Sequence, residues 1–182
     1  MSKQRILVVS PSWIGDMVMS QTLYALLKKQ DKEIDVIAPA ASKPLLSRMP
    51  EVNRSMLFDV GHGELRYGYR RRFARSLKRN NYQQAIVLPN SLKSALVPFL
   101  ADIPVRTGFR GEMRYILLND IRLLDERRLP RMIDRFMALG LPAMAPLPDP
   151  EQPRLTVDER NQTECLRQLG LNTNATILGL CP

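Results

Sequence analysis

The feature that most constrains the fold is a regular alternation between short apolar runs and longer amphipathic segments. Residues 5–10 (RILVVS) form a continuous apolar run of the kind found in buried strands, and residues 17–30 then place apolar side chains at helical spacing. Similar runs follow at 34–38, 55–58, 85–88 and 105–108. Strands rich in Ile and Val that alternate with helices are typical of a parallel sheet covered on both faces. The sequence therefore predicts a doubly wound α/β domain.

Helical patterns separate the predicted strands and continue beyond them. They lie at residues 17–30, 44–49, 70–79, 92–100, 130–139 and 158–169. Pro130 suits a first helical position, and Gly140 suits the position after a last turn. Asp158 suits an N-cap, and Gly170 a helix stop.

A change of composition, a proline-rich segment that ends at residue 153, divides the chain. Residues 141–153 carry five prolines, which predicts an extended crossing segment because proline fixes φ and lacks a backbone donor. Residues 175–180 (ATILGL) have the pattern of another buried strand. We therefore expect one domain at 1–153 and the start of a second α/β domain at 154–182, with the chain truncated early in that second domain.

The charge balance favours anionic partners. The net charge is +9, and arginines outnumber lysines by 20 to 7. Because the planar guanidinium binds carboxylates and phosphates through two parallel hydrogen bonds, nucleic acid, an anionic membrane surface or an acidic small molecule are all candidates. A solvated basic surface without a specific partner is the alternative.

The cysteine content and the lengths of the apolar stretches indicate the cellular compartment. Two isolated cysteines and one histidine predict neither a disulfide framework nor a zinc site, which favours a reducing compartment. No stretch approaches the roughly 18 apolar residues of a membrane-spanning helix, and the first apolar run is too short for a signal peptide. We expect a cytoplasmic protein.

The first candidate site is the turn after the first predicted strand, residues 10–16 (SPSWIGD). Ligands of open α/β sheets bind at the carboxyl ends of strands, and a helix N-terminus there offers free amides. Gly15 would allow a tight turn or close approach by a ligand, and Asp16 lies at the helix start. The alternative is that Asp16 only caps the helix. The turn matches neither a G-x-G-x-x-G fingerprint nor a P-loop.

Two further candidates follow later strands. In residues 90–94 (NSLKS), Ser91 can cap a helix whose free amides, with Lys93, would bind an anion; a cap and a solvated lysine are the alternative. Arg106, Arg110 and Arg114 recur at intervals of four beside two glycines. If the segment is helical from residue 111, Arg110 and Arg114 share one face and could bind a sugar acid or phosphate. A structural role is equally open.

A basic segment at residues 66–79 is the last candidate. It holds seven basic residues and no acidic one, with Tyr67, Tyr69 and Phe73 interleaved. This pattern suits phosphate contacts with base stacking, an interfacial membrane helix, or simply a solvated helix face.

Four motifs in order carry a family resemblance. PSWIGD (11–16), RMPEVN (48–53), PNSLKSAL (89–96) and GFRGEMRY (108–115) resemble the N-terminal half of the bacterial lipopolysaccharide heptosyltransferases of glycosyltransferase family 9. The resemblance covers residues 5–125. It implies two Rossmann-like domains facing across a cleft, the GT-B arrangement, with the acceptor held by the N-terminal domain and ADP-heptose mainly by the C-terminal one. Residues 1–182 alone are then not expected to transfer sugar.

The resemblance also implies a reaction and its partners. Heptose would pass from ADP-heptose to the first heptose of the lipopolysaccharide inner core, heptosyl-Kdo₂-lipid A, with inversion at the anomeric carbon and a carboxylate base. Peripheral contact with the inner leaflet of the inner membrane is expected. Neither a cofactor nor a metal is implied, and no D-x-D motif is present.

Site residues carried over from the resemblance centre on Asp16 as the base. The residues implied in acceptor binding are Ser12, Gly15, Asn90, Ser91, Lys93, Arg110, Arg114, Arg70 and Arg71. The cations among them would bind Kdo carboxylates or core phosphates. The competing function is a basic α/β module that binds nucleic acid, and a third is a nucleotide-binding domain of another enzyme, which the missing glycine fingerprint disfavours.

Overall fold

A computed structural model of the protein describes residues 3–61, 64–171 and 178. Within them, six parallel strands form one sheet in the order β3-β2-β1-β4-β5-β6. The strands are β1 (Arg5–Val9), β2 (Glu33–Ala38), β3 (Val52–Leu57), β4 (Gln84–Val87), β5 (Val105–Phe109) and β6 (Asp120–Arg122). This is the strand order of a doubly wound Rossmann-like sheet. The predicted fold class is confirmed.

Helices cover both faces of the sheet. The helices of the described residues are α1 (Ile14–Lys29), α2 (Lys43–Leu46), α3 (Tyr67–Leu77), α4 (Leu92–Leu100), α5 (Met132–Leu139) and α6 (Glu159–Gln168), with 3₁₀ turns at Ala40–Ser42 and Lys78–Asn80. Helix α6 has no buried residue and does not take part in covering the sheet. None of the helices in the described ranges has the length and apolarity to cross a bilayer.

The core explains why the strands are continuous apolar runs. Ile6 and Val8 of β1 pack with residues of α1 and α5 on one face, while Leu7 packs with residues of α3 and α4 on the other. Successive strand side chains point to opposite faces, so a strand covered on both sides must be apolar at every position.

Several boundaries differ from the predicted ones for local reasons. Helix α1 begins at Ile14, three residues earlier than predicted, and β3 begins at Val52. Helix α5 begins at Met132 rather than at Pro130, because the Arg131 backbone N–H donates to the Asp134 carboxylate in a capping box.

Strand β6 was not predicted from the sequence. Its polar side chains bond to one another and to the neighbouring strand β5. The Asp120 carboxylate accepts from Arg122 Nε at 2.7 Å and from Thr107 Oγ1 of β5 at 2.8 Å. Burial raises the pKa of Asp120, but the hydrogen bonds from Arg122 and Thr107 outweigh it and hold that pKa below its ordinary value. A three-residue strand stabilised in this way lacks an apolar pattern.

The C-terminal part agrees with the sequence where it is described. Residues 141–158 contain neither helix nor strand, as the prolines predict. Helix α6 is capped by Asp158, whose Oδ1 accepts from the Asn161 backbone N–H at 3.0 Å, and Gly170 follows with φ of 65°. The predicted strand at 175–180 lies outside the described residues except for position 178. The division into 1–153 and 154–182 stays a prediction.

Candidate functional site

A cleft of about 550 Å³ lies at the point where the sheet changes winding direction. Strands β1 and β4 are neighbours, yet the chain leaves β1 for α1 on one face and leaves β4 for α4 on the other. The two connections diverge at the carboxyl ends of these strands, which opens a crevice in doubly wound folds. The turn after β1, the turn after β4 and the segment after β3 all line it.

Backbone hydrogen bonds fix the start of both turns. Ladder bonding continues one residue past each strand, since Ser10 N donates to Ile37 O at 3.1 Å and Leu88 N donates to Val9 O at 3.1 Å. Both turns therefore leave from the edge of a rigid sheet.

Asp16 is the third residue of α1 and lines the cleft in a half-buried position. The N-cap of α1 is Trp13, whose side chain forms no capping hydrogen bond. Asp16 is thus not the N-cap, which was the structural alternative predicted for it. The uncapped first turn also leaves the positive end of the helix dipole toward the cleft.

Two other carboxylates line the same cleft, and both have protein partners. Glu64 Oε2 lies 2.6 Å from Arg66 Nε, and Glu112 Oε2 accepts from Leu92 N at 2.9 Å. Within the described ranges the Asp16 side chain makes neither a hydrogen bond nor an ion pair with another residue. Of the three, Asp16 is the carboxylate whose oxygens are available to a ligand.

The rest of the β1–α1 turn is open to solvent. Ser12 is exposed and lines the cleft, as does Trp13, which is 74% exposed. Gly15 does not have a positive φ, and a Cβ built on it would meet nothing within 4 Å. The fold itself therefore does not require glycine at this position. Of the two roles predicted for Gly15, a tight turn is not observed, and close approach by a ligand stays a prediction.

The β4–α4 turn supplies the polar wall of the cleft. Asn90, Ser91 and Lys93 all line it. The predicted cap is confirmed, because Ser91 Oγ accepts from Ser94 N at 3.3 Å. Lys93 lies in the first turn of α4, so its charge sits at the cleft wall.

Arg114 lies beneath this turn with 1% of its surface exposed. Its guanidinium donates to Pro89 O (2.6 Å), Phe109 O (2.6 Å), Asn90 Oδ1 (3.2 Å), Ser94 Oγ (3.2 Å) and Ser91 O (3.3 Å). Burial lowers the pKa of the Arg114 guanidinium, with the charge of Glu112 acting in the opposite direction. Since both of its Nη groups donate to the protein and its side chain is buried, we reassign Arg114 from contacting an acceptor to holding the β4–α4 turn.

Gly111 is required for the same arrangement. A Cβ on it would lie 2.3 Å from the Asn90 carbonyl oxygen, to which Glu112 N also donates at 3.3 Å. Only glycine lets the segment after β5 approach the turn so closely.

The arginines implied in acceptor binding separate into two groups. Arg70 lines the cleft but is 6% exposed, with Nε donating to Leu65 O at 2.6 Å and Nη1 to Lys93 O at 3.0 Å. Arg71 and Arg110 are exposed and lie outside the cleft lining. The segment from 111 to 118 is not helical, so Arg110 and Arg114 do not share a face.

Sequence reasoning missed several lining residues. Phe58 and Glu64 come from the segment after β3, and Met132 and Phe136 come from α5. The helical pattern predicts α5 but gives no signal that its N-terminal half reaches the cleft. In the described ranges no group of three His, Cys, Asp or Glu residues is placed to hold a metal ion.

Comparison with known proteins identifies the family. The model of glycosyltransferase family 9 (heptosyltransferase) matches residues 70–182. Lipopolysaccharide heptosyltransferase 2 of Escherichia coli is 48% identical over 98% of this chain and 53% of its own length. Lipooligosaccharide heptosyltransferase 2 of Haemophilus influenzae is 46% identical over 97% of this chain and 54% of its own length.

A solved structure agrees with these matches. That of E. coli ADP-heptose lipopolysaccharide heptosyltransferase II superposes with a TM-score of 0.83 at 45% identity, covering 93% of this chain and 52% of that one. The chain spans about half the length of the curated relatives it matches. The nucleic-acid-binding alternative has no support from these matches. By sequence and by fold, the chain belongs to glycosyltransferase family 9, the heptosyltransferases.

Proposed function

We propose that this chain is the acceptor-binding half of an inverting enzyme that transfers heptose from ADP-heptose to the first heptose of the lipopolysaccharide inner core. The observation that carries the proposal is the cleft at the β1/β4 crevice, where the Asp16 carboxylate, unpaired among the described residues, lies beside the cations Lys93 and Arg70. The 48% identity to a lipopolysaccharide heptosyltransferase 2 supports the choice of substrates. ADP-heptose would be bound mainly by a C-terminal domain.

In the proposed step, Asp16 acts as the general base. Its carboxylate takes the proton of the acceptor hydroxyl while that oxygen forms a bond to the anomeric carbon of the donor heptose. The bond from this carbon to the ADP oxygen breaks, and ADP leaves with the electron pair. A base aligned on one face and a leaving group on the other produce inversion.

The acceptor, heptosyl-Kdo₂-lipid A, carries carboxylates that suit the cations of the cleft. Lys93 would contact them directly, while Asn90, Ser91, Ser12 and the α1 amides add hydrogen bonds. Arg70 contributes positive charge from the buried wall, and Arg110 and Arg71 act from outside the cleft. Because the acceptor is lipid-anchored, the enzyme would work in the cytoplasm at the inner leaflet of the inner membrane.

A chimaera tests the proposed reaction. This chain would be joined to the C-terminal half of the E. coli relative and incubated with ADP-heptose and heptosyl-Kdo₂-lipid A. We expect a product with one additional heptose, whose anomeric configuration is opposite to that of the donor. The E. coli half alone is the control. Absence of transfer by a folded chimaera would reject the function, and retained configuration would reject the single displacement.

Replacement of Lys93 tests the anion contact. In the chimaera, Lys93→Ala should raise the KM for the acceptor by about 10- to 100-fold, the value of one charged hydrogen bond, and leave the KM for ADP-heptose nearly unchanged. Arg110→Ala should also raise only the KM for the acceptor, but by a smaller factor, because Arg110 lies in solvent outside the cleft. Initial rates measured against each substrate in turn check this. Equal changes in both KM values would contradict an acceptor role.

Replacement of Gly15 separates folding from binding. Gly15→Ala should leave the free energy of unfolding unchanged or raise it by up to about 1 kcal/mol, since alanine favours helix and the new methyl meets no atom. The same methyl should weaken acceptor binding at least about tenfold if the acceptor approaches the backbone there. Urea unfolding and acceptor titration give the two values. Unaltered affinity would show that Gly15 faces no ligand.

A further inference from the structure

Helix α4 has apolar side chains on its outer surface as well as its inner one. Ala95, Val97 and Pro98 are buried toward the sheet. Leu92, Leu96 and Phe99, spaced by four and three residues, form a second stripe that is only half-buried. A helix that is apolar on its outer side requires a covering partner.

The segment after β5 extends this stripe into an exposed ridge. Two contacts hold the segment along α4: Glu112 accepts from Leu92 N at 2.9 Å, and Arg106 both donates to Leu117 O at 2.7 Å and stacks over the Phe99 ring at 5.5 Å. Between these contacts lie three exposed apolar side chains. They are Met113 (84% exposed), Tyr115 (59%) and Ile116 (81%).

A cationic face adjoins the apolar ridge. Helix α3 packs beside α4 on the same side of the sheet, with Arg70 Nη1 donating to Lys93 O and Lys78 pairing with Asp102. The outer face of α3 and the turn after it carry four exposed arginines that form no ion pair within the described ranges. They are Arg71, Arg72, Arg75 and Arg79.

We propose that the α3–α4 face is a docking surface for an anionic bilayer. The ridge formed by Leu92, Leu96, Phe99, Met113, Tyr115 and Ile116 would enter the interface between headgroups and acyl chains. The α3 arginines would contact lipid phosphates beside it. An apolar strip flanked by cations is the pattern of proteins that lie on membranes. The inference extends the proposed function, because a lipid-anchored acceptor is met at a membrane.

The aromatic residues of α3 favour lipid over nucleic acid. Tyr69 and Phe73 pack against Phe58, with ring centroids 5.3 and 4.9 Å from that ring, so their faces are not free to stack on bases. Tyr67 is 51% exposed at the start of α3, but the more exposed apolar side chains Met113 (84%) and Ile116 (81%) lie on the neighbouring ridge, where nucleic acid offers them no apolar contact. The acidic residues bordering the ridge, Glu112 and Asp102, are both engaged in hydrogen bonds.

Vesicle flotation with residues 1–182 tests the surface without requiring transfer activity. The probe is vesicles of phosphatidylcholine with about 30% phosphatidylglycerol, at low salt and at about 0.5 M salt, where surface charges are screened. Arg72→Glu with Arg75→Glu should lower binding at low salt by about tenfold or more. Met113→Ser with Ile116→Ser should lower the binding that persists at high salt by about tenfold.

Matched controls lie away from this surface. Lys28→Glu with Lys43→Glu makes the same change in net charge on α1 and α2, and Met144→Ser with Val157→Ser removes two apolar side chains of similar exposure, 78% and 73%. Neither of these control pairs should alter flotation. The Arg72→Glu, Arg75→Glu variant should still bind a delipidated acceptor, and this result would separate membrane docking from the proposed function. Failure of the unaltered chain to float, equal losses in the controls, or a dimer that the Met113/Ile116 variant dissociates would each overturn the proposal.

Discussion

Asp16→Asn is expected to lower kcat of the chimaera by about 10²–10⁴, the usual contribution of a general base. The amide keeps the size of the side chain but cannot take a proton. Because Asp16 has no partner in the described part of the chain, the substitution should leave the fold and the KM for ADP-heptose nearly unchanged. Steady-state kinetics and thermal unfolding measure both quantities.

Glu112→Gln is the matched control for this variant. Glu112 lines the same cleft, yet its carboxylate is bonded to Leu92 N. Its replacement should alter kcat far less than that of Asp16. Near-normal turnover by Asp16→Asn, or an equal loss in Glu112→Gln, would mean that the cleft uses another base.

Arg114→Ala is expected to have the second large effect, on stability. Its removal leaves five acceptors beneath the β4–α4 turn without their charged donor, at a cost of about 3–5 kcal/mol. Urea unfolding should show this loss as a lower midpoint with a similar slope. Arg110→Ala, an exposed arginine of the same segment, should change the free energy of unfolding by less than about 0.5 kcal/mol.

A second measurement tests the positioning role of Arg114. In the chimaera, Arg114→Lys keeps the charge but cannot reach the same set of acceptors, so Asn90 and Ser91 should lose their positions. We expect a higher KM for the acceptor and an unchanged KM for ADP-heptose. A stability loss with both KM values intact would assign Arg114 to the fold alone.

The sequence predicts the sheet well because burial on both faces imposes continuous apolar runs. Strand β1 and the cap at Ser91 follow from local chemistry and are confirmed. Strand β6 could not be found in this way, since Asp120 and Arg122 are stabilised by one another and by Thr107. A short polar edge strand is specified by tertiary contacts, and the pattern of apolar residues in the sequence does not show such contacts.

The cleft was predictable only in part. Asp16, Ser91 and Lys93 follow strand ends, and parallel topology brings such ends together, so the sequence locates them. The burial of Arg114 and Arg70 depends in part on carbonyl groups distant along the chain, those of Pro89 and Lys93, and the local sequence gives no sign that either charged side chain points inward. Glu64 could not be predicted either, because no sequence pattern in its loop indicates that it reaches the cleft.

Calorimetric titration of residues 1–182 with a delipidated heptosyl-Kdo₂ acceptor tests the central claim most directly. We expect saturable binding that Lys93→Ala weakens, and no comparable heat with ADP-heptose over the same concentrations. Measured binding of ADP-heptose together with no binding of the acceptor would contradict the assignment of this half to the acceptor.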